Sequence, residues 1–260
     1  MSGIKLEVNV HIVTGANTSV QNLRTCLTRA GIEIQAIILN QIATSASVLT
    51  HDEMELGVGL IDIGGGTTEI AIFERGSLWY TSVIPIGGDN FTNDIAVGLR
   101  TPIPEAEKIK KKFGCVTSPL SDEQETIEVP SVGRGKKPRV LSRQLLADII
   151  QPRAEEIFRL VDNDIKRMGY EKSLNSGIVL TGGTALLEGL EEVAESVFDL
   201  PVRRGEPSGI GGLVDRVNTP DYATSIGLIQ HGYKLWKESG MSIDRKKGFW
   251  IKIKDWLKEA

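Results

Sequence analysis

Only two of the 260 residues are cysteine, Cys26 and Cys115, and they form no CxxC pair. That excludes a disulfide scaffold and fits free thiols in a reducing compartment. The three histidines, His11, His51 and His231, are scattered along the chain, so no metal cluster can be drawn from them. Aromatic residues make up 5%, which leaves burial to Ile, Leu, Val and Ala. No apolar run approaches the ~18 residues that a membrane span needs, and no signal peptide precedes the first expected strand. The GxxxxGK(S/T) loop of P-loop NTPases and the GxGxxG dinucleotide fingerprint are both missing. A net charge of −4 argues against general nucleic-acid binding.

What remains is ordinary globular composition, 40% apolar and 25% charged, with length for one large or two modest domains. The charge is uneven. Residues Arg245–Ala260 carry six basic and two acidic side chains, so a basic end follows an acidic body.

Hydrophobic spacing predicts the elements. Glu7–Thr14 alternates as a half-buried strand, Val20–Ala30 has helical spacing, Ile34–Leu39 reads as a second strand and Gln41–Leu49 as a second helix. Leu56–Ile63 is a nearly continuous apolar run, the mark of a strand buried on both faces. Gly64–Gly66 turns it into Thr68–Phe73, and Gly76 turns that into Ser77–Ile86, a three-stranded meander. Pro104–Gly114 is a short helix with acids at its start and lysines at its end. Short strands and loops are expected over residues 115–139, then one long helix or two over Ser142–Met168, with Pro152 as the break. Ser176–Thr181 is a buried strand, Gly182–Thr184 opens a helix through Phe198, and Val202 resumes as a strand. Tyr222–Tyr233 is a helix, residues 236–248 a polar linker, and Phe249–Ala260 a final helix.

Two glycine-rich turns carry the chemistry. In Asp62-Ile63-Gly64-Gly65-Gly66-Thr67-Thr68, glycines allow positive φ and close approach of a phosphate to backbone N–H groups. Thr67 and Thr68 add hydroxyl donors, and Asp62 at a strand end suits Mg²⁺ held through water. In Thr181-Gly182-Gly183-Thr184, a strand entering a helix would offer orphan N–H groups and a favourable dipole. Glu107 with Lys110 or Lys111 shares one helix face and could grip a ribose and base. The plainer alternatives are glycines kept for turns and packing, and an ordinary helix salt bridge.

The terminal segment has a different pattern. At ~100° per residue, Phe249, Trp250, Ile253, Trp256 and Leu257 share one arc, flanked by Lys252 and Lys254. Such a helix suits the headgroup region of a membrane, with Lys246 and Lys247 adding attraction to anionic lipid. The alternative is a helix packed on the body.

These motifs resemble known ones. Asp62–Thr68 is similar to the second phosphate motif of the actin/Hsp70/sugar-kinase superfamily, LTGGTALLEG (Leu180–Gly189) to its adenosine motif, and ATSIGL (Ala223–Leu228) to its second connecting helix. The nearer resemblance is to the FtsA family of bacterial cell-division proteins. HIVTG, ELGVGLIDIGGGTTEIAIF, VIPIGGDNFTNDIA, VPSVG, IVLTGGTALLEGL and GFWIKIKDWLKEA stand in that family's order across essentially the whole chain.

The resemblance implies an α/β actin-like ATPase (ribonuclease H-like) fold, second half complete and first half mostly missing, because one phosphate hairpin is present where the superfamily has two. The implied division is residues 1–55 as a remnant of the first half and 56–94 as the first part of the second large subdomain. Residues 95–175 would be the second small subdomain, 176–235 the rest of the large one with the connecting helix, 236–247 a linker and 248–260 a membrane-targeting helix. It implies ATP and Mg²⁺ as ligands, at most weak ATPase activity, and self-association into polymers. It also implies attachment to anionic lipids on the cytoplasmic face of the cell membrane at the division site, and recruitment of other divisome proteins.

The implied partner is the acidic C-terminal tail of the ring protein FtsZ. Arg139, Arg143, Arg153 and Arg159 are the candidates to meet it, since Arg favours bidentate carboxylate contacts; a solvated helix face is the plainer reading of each. The alternatives for function are a pilus-assembly component of the same superfamily, and a sugar kinase or phosphohydrolase.

Overall fold

The computed structural model describes residues 7, 8, 10–117, 125–132, 137–212 and 214–238. The expected final helix over 249–260, with its apolar stripe and lysines, lies outside them.

The chain centres on a five-stranded sheet in the order β3-β2-β1-β6-β7. β1 (Val58–Ile63), β2 (Thr68–Glu74) and β3 (Ser77–Ile84) form the expected antiparallel meander. β6 (Ile178–Thr181) lies parallel to β1, and β7 (Val202–Arg204) parallel to β6. The apolar run of β1 is explained by two cores. Ile61 and Ile63 face one, with Ile70, Ile72, Ile178 and Leu180; Val58 and Leu60 face the other, with Ala71, Phe73 and Val179. Covering both faces is what makes a strand read as continuously apolar.

The first face carries α4 (Gly88–Gly98), α5 (Ile103–Phe113), α6 (Arg143–Arg167) and α7 (Leu190–Phe198), with the hairpin β4 (Thr126–Val129)–β5 (Arg139–Ser142) in the same core. The second face carries α2 (Asn40–Val48) and α9 (Ala223–Glu238). These two helices cross at Gly227, where a Cβ would drive into the carbonyl of Ala43. α8 (Val214–Val217) is a single turn before α9.

Several expectations change. The described residues of the alternating segments 7–14 and 34–39 are not in strands; Val8, Val10 and Ile12 are exposed, and His11 Nε2 lies 3.1 Å from Thr81 Oγ1 of β3. Alternation forms a strand only when a partner edge pairs with it, and no described strand does. The helix expected at 20–30 is present as α1 (Asn17–Arg29), and it buries nothing. The β1 strand starts two residues late, because α3 (His51–Leu56) precedes it, closed by a capping box between Thr50 and Glu53. Glu53 also pairs with Arg203 of β7, at 2.6 Å from Nε.

Pro152 does not break the long helix: α6 runs unbroken through it. A helix-interior proline costs about 3 kcal/mol. Leu146, Ala147 and Ile150 before it, and Ala154, Ile157, Phe158, Val161 and Ile165 after it, are buried on one face. At about 1.5–3 kcal/mol for a large apolar side chain, the packing on both sides outweighs the proline.

Candidate nucleotide-binding site

Parallel pairing sets Asp62 of β1 level with Thr181 of β6, so both glycine turns leave the sheet at the carboxyl ends of neighbouring strands. This is where ligands collect in open α/β sheets. The turns also touch: Thr184 Oγ1 donates to Gly64 O at 3.1 Å, across 120 residues of sequence.

The β1–β2 turn presents N–H groups because its carbonyls are taken. Gly64 O accepts from Gly88 N at 2.9 Å, Gly65 O from Asp89 N at 2.7 Å, and Thr67 O from Gly64 N at 2.9 Å. The N–H groups of Gly65, Gly66 and Thr67 have no partner among the described residues. The carbonyl bonds in turn cap the N-terminus of α4, whose first four N–H groups would otherwise be orphaned. The approach demands glycine at 87: a Cβ there would lie 2.7 Å from Gly65 O and 2.8 Å from both Gly64 O and Thr67 N.

Positive φ is not what the triplet supplies. Among the described glycines, Gly182 has φ 86°, while Gly64, Gly65 and Gly66 stay at ordinary φ. The second turn also differs from expectation. Gly183–Leu186 is one 3-10 turn and α7 begins only at Leu190, so α7 does not point its dipole at this place. What remains is the pair of N–H groups of Gly183 and Thr184 at the start of the turn.

Two cavities open where the turns meet. The larger, about 520 Å³, is lined by Gly64, Gly65, Gly88, Asp89, Gly183 and Thr184, and by Glu107, Lys110 and Lys111 of α5. The smaller, about 280 Å³, is lined by Asp62, Gly64, Thr67, Glu69, Gly182, Gly183 and Asp221 among others. The structure therefore brings the two turns and the α5 triad to one cleft. Two residues are exceptions: Gly66 lines neither cavity, and Thr68 is turned inward. It is buried, and its hydroxyl donates to Ile86 O at 2.7 Å, so it offers nothing to the cleft.

The α5 triad divides its work. Lys110 Nζ is nearly buried and donates to Gly88 O and Thr92 Oγ1, both at 2.8 Å, while pairing with Glu107 Oε2 at 2.7 Å. It staples α5 to α4. Burial alone would raise the Glu107 carboxyl, but Lys110 and Thr92 outweigh it and hold it below the usual carboxylate range. Lys111 is 73% exposed, and its looser pair with Glu107, at 3.3 Å, can open to let it swing over the cleft.

Asp62 is pushed up to about 6, first by burial and then by the Glu69 carboxylate; the hydroxyls of Thr44 and Thr224 pull the other way. A carboxylate so placed is a good seat for a cation, which would relieve both effects at once. Asp62 and Glu69 fit the Mg²⁺ pattern of one or two carboxylates completed by water and phosphate oxygens. No cluster of three or more His, Cys, Asp or Glu that could hold a metal occurs among the described residues.

The four arginines assigned to an acidic partner are already engaged. Arg139 Nη2 donates to the carbonyls of Leu99 and Arg100. Arg143 pairs with Glu125 at 2.9 Å and Glu188 at 2.6 Å. Arg153 holds Asp94 at 2.7 Å and also Glu156. Arg159 makes a helical pair with Glu155 at 2.8 Å and is 67% exposed. Sequence reading missed Thr44 and Thr224, and Gly87, Gly88 and Asp89; the second group lies inside the GGD stretch, where two adjacent glycines after a strand were a usable signal.

The family model described as cell division protein FtsA matches residues 59–227. The cell division protein FtsA of Pseudomonas aeruginosa is 52% identical over 94% of this chain and 58% of its own length. That of Neisseria meningitidis is 44% identical over 100% of this chain and 64% of its own length. The chain thus spans about three fifths of the curated relatives it matches. The crystal structure of MreB5 of Spiroplasma citri bound to ADP superposes with a TM-score of 0.72 at 19% identity, covering 88% of this chain and 69% of that one. The fold is the actin-like ATPase fold.

Proposed function

We infer this chain's role from one premise: it belongs to the FtsA family of cell-division proteins. In the proposed role the chain binds ATP with Mg²⁺ and joins actin-like polymers. Its terminal helix holds the FtsZ ring to the cytoplasmic face of the cell membrane, where later divisome proteins gather.

The observation that supports the nucleotide part is the convergence of two glycine turns: Gly65 lines the larger cavity with Gly183 and Thr184, Thr67 lines the smaller with Gly182 and Gly183, and the N–H groups of Gly65, Thr67, Gly183 and Thr184 have no partner among the described residues. Two sets of free N–H donors suit a chain of phosphates. Asp62 and Glu69 sit beside it for the metal, and Glu107 and Lys111 reach the nucleoside end. The metal would shield phosphate charge there. The family membership favours a scaffold with at most weak ATPase activity over a sugar kinase.

The polymer and partner parts draw on the family and on the surface. Residues 95–175, taken as the second small subdomain, would receive the acidic tail of FtsZ. Of the four arginines, Arg159 can exchange its partner at least cost, since exposed helical pairs contribute only about 0.3–0.5 kcal/mol. The others would have to release carbonyls or carboxylates held within the fold.

The membrane part rests on the stripe Phe249, Trp250, Ile253, Trp256 and Leu257 between Lys252 and Lys254. Among the described residues no helix is long and apolar enough to cross a membrane. In flotation with anionic liposomes, the intact chain is expected to rise with the lipid, and the chain lacking residues 248–260 to stay below. Equal flotation of both would reject the tether.

A further inference from the structure

We propose that Thr44 of α2 and Thr224 of α9 are positioning residues for Asp62, holding its carboxylate in the orientation that the cation accompanying bound nucleotide requires. The inference rests on the nucleotide reading above and deepens it.

The two hydroxyls lie 180 residues apart in sequence yet only 2.8 Å apart in space. Both meet the same carboxylate oxygen: Thr44 Oγ1 is 3.3 Å and Thr224 Oγ1 3.4 Å from Asp62 Oδ2. The other oxygen, Oδ1, packs against the Cα of Gly182, where any side chain would overlap it. Asp62 is thus confined from both sides, by hydroxyls on Oδ2 and by glycine on Oδ1. Thr44 is fully buried, and the two hydroxyls share two protons among three contacts, so at least one proton is always directed at Asp62 Oδ2. Rotating a carboxylate out of such a seat would take the acceptor from at least one hydroxyl proton, at a cost that a free aspartate would not meet.

The seat is built from separate elements that are themselves pinned. Ser47 of α2 donates to Ala223 O at 2.7 Å, joining α2 to the start of α9. Gly182 N and Thr181 Oγ1 both donate to Pro220 O at 3.2 Å, joining β6 to the turn before α9. Groups that orient a metal-facing carboxylate in this way commonly change metal affinity about 10–100-fold when removed.

The test is a Mg²⁺ titration of binding of a fluorescent ATP analogue to the purified chain, with a parallel titration of the analogue in EDTA. Thr44→Val and Thr224→Val should each raise the Mg²⁺ concentration for half-saturation about ten-fold, with affinity in EDTA unchanged. Thr44→Ser and Thr224→Ser should restore the wild-type value. Thr101→Val, which removes a buried hydroxyl that bonds Pro130 O and takes no part in the seat, should leave the Mg²⁺ dependence as it was. Valine variants that keep the wild-type Mg²⁺ requirement, or lose affinity equally in EDTA, would overturn the positioning role alone. A wild-type chain that binds no nucleotide in either condition would overturn the nucleotide reading and this inference with it.

Discussion

Gly182→Ala should destabilise the chain by about 2–6 kcal/mol, while Gly183→Ala, one residue later, should cost no more than about 0.5 kcal/mol. The contrast comes from the backbone. Gly182 has φ 86° and ψ 167°, a region essentially confined to glycine that costs an L-residue about 1–3 kcal/mol. A Cβ there would also stand 2.6 Å from Ile63 O and closer still to Asp62 Oδ1. Overpacking against a sheet carbonyl adds about 1–3 kcal/mol, because a carbonyl in a ladder cannot retreat like a side-chain tip. At Gly183 the nearest atom to a new Cβ is Asp221 Cβ at 3.8 Å, an ordinary contact. Urea denaturation of the two variants checks this. Equal midpoints would mean that the close approach of the two strands at Gly182 is drawn wrongly.

Asp62→Asn should stabilise the free chain, and only above acid pH. The Asp62 carboxyl sits at about 6 in the fold against an ordinary 3.8. The folded state therefore binds this proton more tightly than the unfolded one. Below about pH 4 both states hold it and Asp62 costs nothing. As pH rises from about 4 to 6 the unfolded chain releases the proton first, and stability falls. The gap between the folded and unfolded values amounts to roughly 3 kcal/mol by pH 7. Asparagine keeps an acceptor for Thr44 and Thr224 and carries no charge. The expected result is little gain at pH 3, about 1 kcal/mol at pH 4.5 and a gain of roughly 2–3 kcal/mol at pH 7.5. A gain independent of pH would show that burial of the charge is not the cause. A residue that weakens the fold at working pH marks a site kept for binding.

Much of the body is readable because its signals are local. β1 reads as continuously apolar because both of its faces are covered, and the glycine turns at Gly64 and Gly182 announce themselves in the chain. The capping box of α3 is equally legible as Thr50 followed three residues later by Glu53, but the apolar run that reaches back to Leu56 masks the helix it starts.

Other features depend on contacts that no local pattern holds. α4 follows two glycines and starts on the second, a poor helix former, and forms where the carbonyls of Gly64 and Gly65 cap it. Segment 7–14 has the alternation of a strand, but alternation does not supply a neighbour. Pro152 reads as a break, and only the buried residues on both sides of it say otherwise.

The site shows the same division. Gly64, Gly65, Gly183, Thr184, Glu107 and Lys111 are legible as residue types suited to phosphates and nucleosides, and the fold brings them to one cleft. Thr68 has the right chemistry and the wrong direction, its hydroxyl turned inward to Ile86. Thr44 and Thr224 read as helix residues, since the carboxylate they meet comes from a third element. The arginines read as free cations; only the structure shows the acids and carbonyls that already hold them.

The most direct measurement is a crystal structure of this chain with Mg²⁺ and a non-hydrolysable ATP analogue. Phosphate oxygens are expected within about 3 Å of backbone N–H groups in both the Gly65–Thr67 and Gly183–Thr184 turns, with the metal on the Asp62 side. A nucleotide bound elsewhere, or touching one turn while the other faces solvent, would contradict it.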